Sequence, residues 1–127
     1  MQIPGNLQVW HKSHQLTLDV YRATDSPSFP RRYPLINQIQ SSVLSVESNI
    51  VEGTTRGSKP EFLRFLRYAL SSACELHTQL LVAKDLAYMP LAHFSRMDSL
   101  LDEFRKMLWS LMGTVEAAMK SEAASTK

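Results

Sequence analysis

A single cysteine, Cys74, stands among 127 residues. That excludes an intrachain disulfide framework and a four-thiolate zinc site, and it suits a reducing compartment. An excess of one charge is also missing. Fourteen Lys and Arg against twelve Asp and Glu leave a formal +2, too little for a polybasic, histone-like mode of binding by one chain. Glycine is scarce at four residues, and no G-x-G-x-x-G, Walker loop, G-x-S-x-G or H-E-x-x-H occurs. The stretch from Gly53 to Gly57 precedes a helical pattern but lacks the lysine of a phosphate-binding loop. No apolar run reaches the length of a bilayer span, and residues 1–30 lack the basic, apolar, small-residue order of a secretion signal. The expected protein is cytoplasmic and soluble, with no membrane partner. No segment shows strand-type alternation of any length, which excludes a sheet fold.

What the chain does have is ordinary globular composition, 44% hydrophobic and 20% charged, enough for one core. Pro27, Pro30 and Pro34, then Gly53 and Gly57, then Pro90 divide it into four segments with apolar residues at helical spacing. Helices are predicted at about 6–24, 34–53, 59–87 and 91–121, with a frayed tail over about 123–127. The first sets Leu7, Trp10, His14, Leu18 and Tyr21 on one face, widened by Val9, Leu16 and Val20. The second places Ile36, Ile39, Val43, Val46 and Ile50 at steps of three and four, and ends where Gly53 suits a left-handed cap. Ser58 and Glu61 form a capping box opening the third, whose seam runs Phe62, Phe65, Leu66, Ala69, Ala73, Leu76, Leu80 and Ala83. Its small residues, facing Ser42 and Ser45, predict close packing of the second and third helices. The fourth repeats Phe94, Met97, Leu101, Phe104, Leu108, Leu111, Val115 and Ala118. Short connections favour an all-α, antiparallel up-down-up-down four-helix bundle over residues 1–122. Trp109 and Met112 exceed what one side of that core needs, and are candidates for an interface between subunits.

Bundles can hold a di-metal carboxylate site, but that requires Glu-x-x-His pairs, and none is present. His11 and His14 lack a neighbouring carboxylate in sequence, so no metal and no cofactor are expected. Cys74 and His77 lie one turn apart mid-helix, without an oxyanion donor, which predicts a buried structural cysteine. Polar residues beside the seams, His14, Asn49, Glu52, Glu75 and Gln79, are expected to form a hydrogen-bonded network that fixes helix register. A site using Glu52 and Glu75 would have no nucleophile, so no enzyme is expected. The basic residues cluster: Arg56, Lys59, Arg64 and Arg67 fall close together with only Glu61 opposing, and the topology brings Lys12 to the same half. Arg22, Arg31 and Arg32 make a smaller cluster near the other end. Repetition of such patches around an oligomer would let a near-neutral chain contact phosphates.

The chain also resembles the small bacterial four-helix-bundle proteins encoded within intervening sequences of 23S ribosomal RNA genes, a family related to the accessory protein of diversity-generating retroelements. The resemblance rests on Leu7-Gln8-Val9-Trp10, Gln38-Ile39, Ser48 through Gly53, and then Arg56, Ser58, Glu61-Phe62, Phe65-Leu66, Ala69, Ser72, Glu75-Leu76 and Gln79-Leu80. It implies a homopentameric ring of bundles, and in the retroelement relative a basic surface that binds nucleic acid and an association with a reverse transcriptase. Ser41-Ser42 and Glu47 stand where the family usually carries Arg-Ala and a proline, which removes one basic residue and adds an acidic one. The leading expectation is a non-enzymatic homo-oligomer, pentameric by resemblance, that contacts structured RNA or DNA weakly through its basic clusters. The alternative is a scaffold for a protein partner that binds no nucleic acid.

Overall fold

The structure is a computed structural model that describes residues 7–125. Four helices follow in order, α1 (Gln8–Asp25), α2 (Tyr33–Thr54), α3 (Lys59–Asp85) and α4 (Leu91–Ser125). Their cross-links define the topology. His14 meets Glu47 and Thr24 meets Gln40, so α2 runs against α1. Ser45 with Ser72 and Gly53 with Phe62 reverse α3 against α2. Lys59 with Glu122 and His77 with Asp98 reverse α4 against α3. Lys12 with Glu103 and Asp19 with Arg96 return α4 to α1. The result is an all-α bundle of four helices closed by antiparallel neighbours.

Tertiary packing, more than local preference, keeps α2 helical. Its apolar core side chains are all β-branched, and each costs a few tenths of a kcal/mol relative to a good helix former. Ile36, Ile39, Val43, Val46 and Ile50 are all buried, and burying such side chains contributes about 1.5–3 kcal/mol apiece. The α2–α3 pair is the most closely packed in the bundle, as the facing Ser and Ala residues predict. Gly53 belongs to that contact. It lies inside α2 and does not form a left-handed cap: a Cβ there would stand 3.0 Å from the Phe62 ring and 3.1 Å from Phe65 Cβ. The glycine with positive φ is Gly57, at 79°.

Two seams differ in phase from the sequence reading. On α1 the buried face is Val9, Ser13, Leu16, Thr17, Asp19, Val20, Ala23 and Thr24, whereas Leu18 is exposed and Trp10, His14 and Tyr21 lie at the edge. The polar members can face inward because their hydroxyls donate to carbonyls of the same helix: Ser13 to Trp10, Thr17 to Ser13, Thr24 to Val20. On α4, Met112 replaces Leu111 as the fully buried residue, since a straight helix of 3.6 residues per turn drifts away from a strict heptad. That helix also continues through Ser125, so the expected fraying over 123–125 is not found; 126–127 lie outside the described residues. Only half the capping box forms. Ser58 Oγ accepts from Glu61 N–H at 3.3 Å, while the Glu61 carboxylate turns to Arg64. At the far end Ala87 takes φ 58°, with Tyr88 N–H donating to Ala83 carbonyl at 2.8 Å and Ala87 N–H to that of Lys84, closing α3 with a left-handed residue.

Candidate nucleic-acid interface

Where α2 turns into α3, four basic residues precede or ride the first three turns of α3. Their arrangement is organised by one ring. Phe65 is buried but stands apart from the continuous apolar core. The guanidinium of Arg56 lies 4.7 Å from its centroid and that of Arg64 lies 5.0 Å away, with Tyr68 edge-on at 5.4 Å. Arg64 donates through Nε and Nη2 to the two oxygens of Glu61, both at 2.8 Å, and through Nη1 to the Tyr68 hydroxyl at 2.9 Å. Those hydrogen bonds hold the Glu61 carboxyl below its ordinary range and push the Arg64 guanidinium further up. Arg56 donates to Glu52 Oε1 at 2.5 Å. The outcome is an exposed platform of two cations over one aromatic ring, each cation with a carboxylate of its own.

The remaining candidates separate. Lys59 reaches across to Glu122 of α4 at 2.5 Å. Arg67 is exposed and has no ion-pair partner among the described residues. Lys12 pairs with Glu103 at 2.8 Å on the α1–α4 face, about five turns along α4 from the Glu122 that Lys59 meets, so it does not join the cluster. At the opposite end Arg31 is structural. It donates to the carbonyls of Thr24 and Phe29 at 2.8 and 2.7 Å, tying the end of α1 to the following loop. Exposed ion pairs such as these are screened by solvent and contribute little, so a phosphate can displace a carboxylate from Arg56 or Arg64 at little cost.

The predicted polar network is not one network. His14 stacks on Trp10, centroids 5.0 Å apart and ring planes nearly parallel, with Nδ1 3.2 Å from Glu47 Oε2. Asn49 donates to the Ser45 carbonyl at 2.8 Å, and Ser45 meets Ser72 across the α2–α3 seam. Glu52 serves Arg56. Glu75 is exposed, and Gln79 has a buried Oε1 without a donor; both line an open groove of about 670 Å³ with Gln38 and Ser42. Glu52 and Glu75 therefore sit in different environments. Cys74, expected to be buried, is exposed, and His77 is 3.3 Å from Asp98, which occupies the imidazole with a carboxylate. Met112, expected at a subunit surface, is inside the chain's own core, leaving Trp109 at 59% exposure as the apolar surplus. No group of three or more His, Cys, Asp or Glu able to hold a metal occurs among the described residues.

One functional-looking carboxylate escapes the sequence reading. Asp19 is buried on α1, with Oδ2 2.8 Å from Arg96 Nε of α4 and Oδ1 3.7 Å from Arg22. Its only signal is an acid at a core-facing position, which becomes visible once the α1 face is placed correctly. None of the helices among the described residues is long and apolar enough to cross a membrane.

The family described as 23S rRNA-intervening sequence protein matches residues 5–110, and the chain belongs to it. A solved structure from Bacteroides thetaiotaomicron, described as a protein with unknown function from the S23 ribosomal protein family, superposes with a TM-score of 0.75 at 22% identity, covering 82% of this chain and 97% of that one. It is similar in fold. No functionally curated protein matches the chain.

Proposed function

We propose that this protein is a non-catalytic cytoplasmic scaffold, a self-assembling four-helix bundle that contacts structured RNA or DNA through phosphates at the α2–α3 turn. The observation that carries this reading is the pair of guanidinium groups, Arg56 and Arg64, set over the Phe65 ring with Arg67 unpaired one turn further on. The Phe65 ring holds both cations in place before any phosphate arrives, which lowers the ordering cost of a weak contact in which phosphate displaces the carboxylates. The family likeness supports a pentamer. A ring would repeat the platform five times and multiply a potential that one chain is too neutral to generate. Light scattering on the eluting species is expected to give about five times 14.4 kDa. In a gel-shift or anisotropy titration with structured RNA and duplex DNA, Arg64→Glu combined with Arg67→Glu is expected to weaken binding at least tenfold with helicity unchanged. Wild-type affinity is expected to fall steeply with salt, with about one unit less slope for each phosphate contact removed. A flat salt response, or no shift at low salt, refutes the nucleic-acid part.

A second reading has its own support. Arg56, Lys59, Arg64 and Lys12 each already have a carboxylate within salt-bridge distance. That self-neutralisation suits a protein-interaction scaffold with no nucleic-acid ligand. Recovery of one specific protein, unchanged by nuclease, together with an absent gel shift selects it.

A further inference from the structure

Among the described residues one glycine has no explanation in its own surroundings. Gly113 is in the interior of α4, where glycine costs about 1 kcal/mol relative to alanine, yet nothing lies within 4 Å of the position a Cβ would take. Gly53 is needed for close packing and Gly57 for its positive φ; Gly113 serves neither purpose. One turn before it stands Trp109, at 59% exposure the largest apolar side chain left in the open.

These two residues belong to a longer stripe. Asp102, Lys106, Trp109, Gly113, Glu116 and Lys120 follow one another at steps of four, three, four, three and four, a single ridge along α4 beside its buried seam. Among the described residues Lys106 pairs only with its own helix neighbour Asp102, at 3.1 Å with both side chains mostly exposed. Glu116 and Lys120 have no partner among the described residues. The sequence of this ridge, acid, base, indole, notch, acid, base, is complementary to its own reverse.

We propose that this ridge is a self-docking face, on which a second copy of the chain lays its α4 antiparallel about a two-fold axis. In that arrangement each Trp109 indole covers the Gly113 notch of the other copy, Lys106 meets the other copy's Glu116, and Asp102 meets its Lys120. A two-fold axis makes every such contact twice, because the same patch serves both sides. Registers and orientations are decided by charge. A parallel pair sets each residue against its own copy, acid on acid and base on base. Sliding the antiparallel pair by one turn in one direction opposes Asp102 to Glu116, and in the other Lys106 to Lys120. Only the register that seats indole on glycine pairs every charge with its opposite, and like-charge juxtaposition is what excludes wrong pairings. The glycine lets the indole lie against backbone, burying much of the roughly 150–250 Å² that an exposed tryptophan presents. Half of this ridge, Gly113, Glu116 and Lys120, lies beyond residues 5–110 that the family matches.

The inference shares with the proposed function only the premise that copies meet. A ring joins unlike faces, whereas this face is its own partner, so each can fail alone. Sedimentation velocity of the full chain over a wide concentration range tests it. The mass of the dilute species is expected to at least double as concentration rises, since every subunit carries one such face. Trp109→Ala, Lys106→Glu and Glu116→Lys are each expected to weaken that doubling tenfold or more, leaving the dilute species unchanged. An equimolar mixture of the Lys106→Glu and Glu116→Lys chains is expected to recover it to within about threefold of wild type, because in a mixed pair both sites again hold one acid and one base. Absence of doubling, doubling indifferent to these substitutions, or a mixture as weak as either variant alone overturns the proposal.

Discussion

Replacing Gly53 by alanine sets two effects of known sign against each other. Alanine is the better helix former by about 1 kcal/mol, so propensity alone predicts stabilisation. Against it stands the α2–α3 contact. The new methyl would meet the Phe62 ring at 3.0 Å, Phe65 Cβ at 3.1 Å and the Phe62 carbonyl oxygen at 3.4 Å. The ring can swing away, but Phe65 Cβ is fixed to its backbone and the carbonyl is part of the helix, so relief requires the two axes to part by a few tenths of an ångström. Overpacking of this kind costs about 1–3 kcal/mol, and it acts on the closest helix pair of the bundle. The net expectation is a loss of about 0–2 kcal/mol, which at about 3–5 °C per kcal/mol for a chain of this size is a fall in Tm of up to roughly 10 °C. Urea melts at one fixed protein concentration are the appropriate assay, since any self-association makes stability depend on concentration. Gly113→Ala is the control: with open space around it, the same change is expected to raise stability by about 1 kcal/mol. If Gly53→Ala is as stabilising as Gly113→Ala, close approach of α2 and α3 does not account for this glycine.

Two further outcomes follow from local geometry. Ala87→Gly places the residue suited to φ 58° where alanine is strained, and is expected to raise the unfolding free energy by about 1 kcal/mol, read as a higher urea midpoint with unchanged slope. The Glu61 carboxyl, held down by its hydrogen bonds to Arg64, contributes stability that is fully present above its unfolded pKa and is lost as pH falls through its lower folded pKa. Its side-chain NMR titration is therefore expected at lower pH than that of an ordinary glutamate, and Arg64→Gln is expected to return it to the ordinary range; a Glu61 that titrates normally in the wild-type chain refutes the bidentate pair.

Most of the bundle was legible because apolar spacing is a strong signal wherever polar residues stay out of the seam. Every apolar residue expected in the seams of α2 and α3 is buried, since β-branched and alanine positions there coincide with the packing, and Leu63 joins them on α3. On α1 the reading failed for a physical reason: Ser13, Thr17 and Thr24 satisfy their hydroxyls on the helix backbone and so behave as small core residues, which no hydrophobicity pattern registers. On α4 a heptad carried one turn too far exchanged Leu111 for Met112. The basic cluster was legible as a list of residues but not as a charge. That Arg56 and Arg64 spend their charge on Glu52 and Glu61, while Arg67 does not, depends on rotamers chosen around the Phe65 ring.

The same distinction between a residue's charge and its partner governs the whole surface. Formal +2 describes neither end of the molecule. At the α2–α3 turn the cations are held in pairs by neighbouring acids, so their availability to a phosphate depends on competition with Glu52 and Glu61, and is weak and salt-sensitive by construction. Along α4 the order of charges matters more than their number, because Asp102, Lys106, Glu116 and Lys120 cancel in sum yet match their own reverse. A chain with almost no net charge can therefore be specific for another copy of itself, through sequence order, and only weakly attractive to a polyanion, through position. The two behaviours are separable by salt: screening is expected to abolish the phosphate contact first, while the tryptophan–glycine contact, being apolar, persists after the ion pairs around it have been screened.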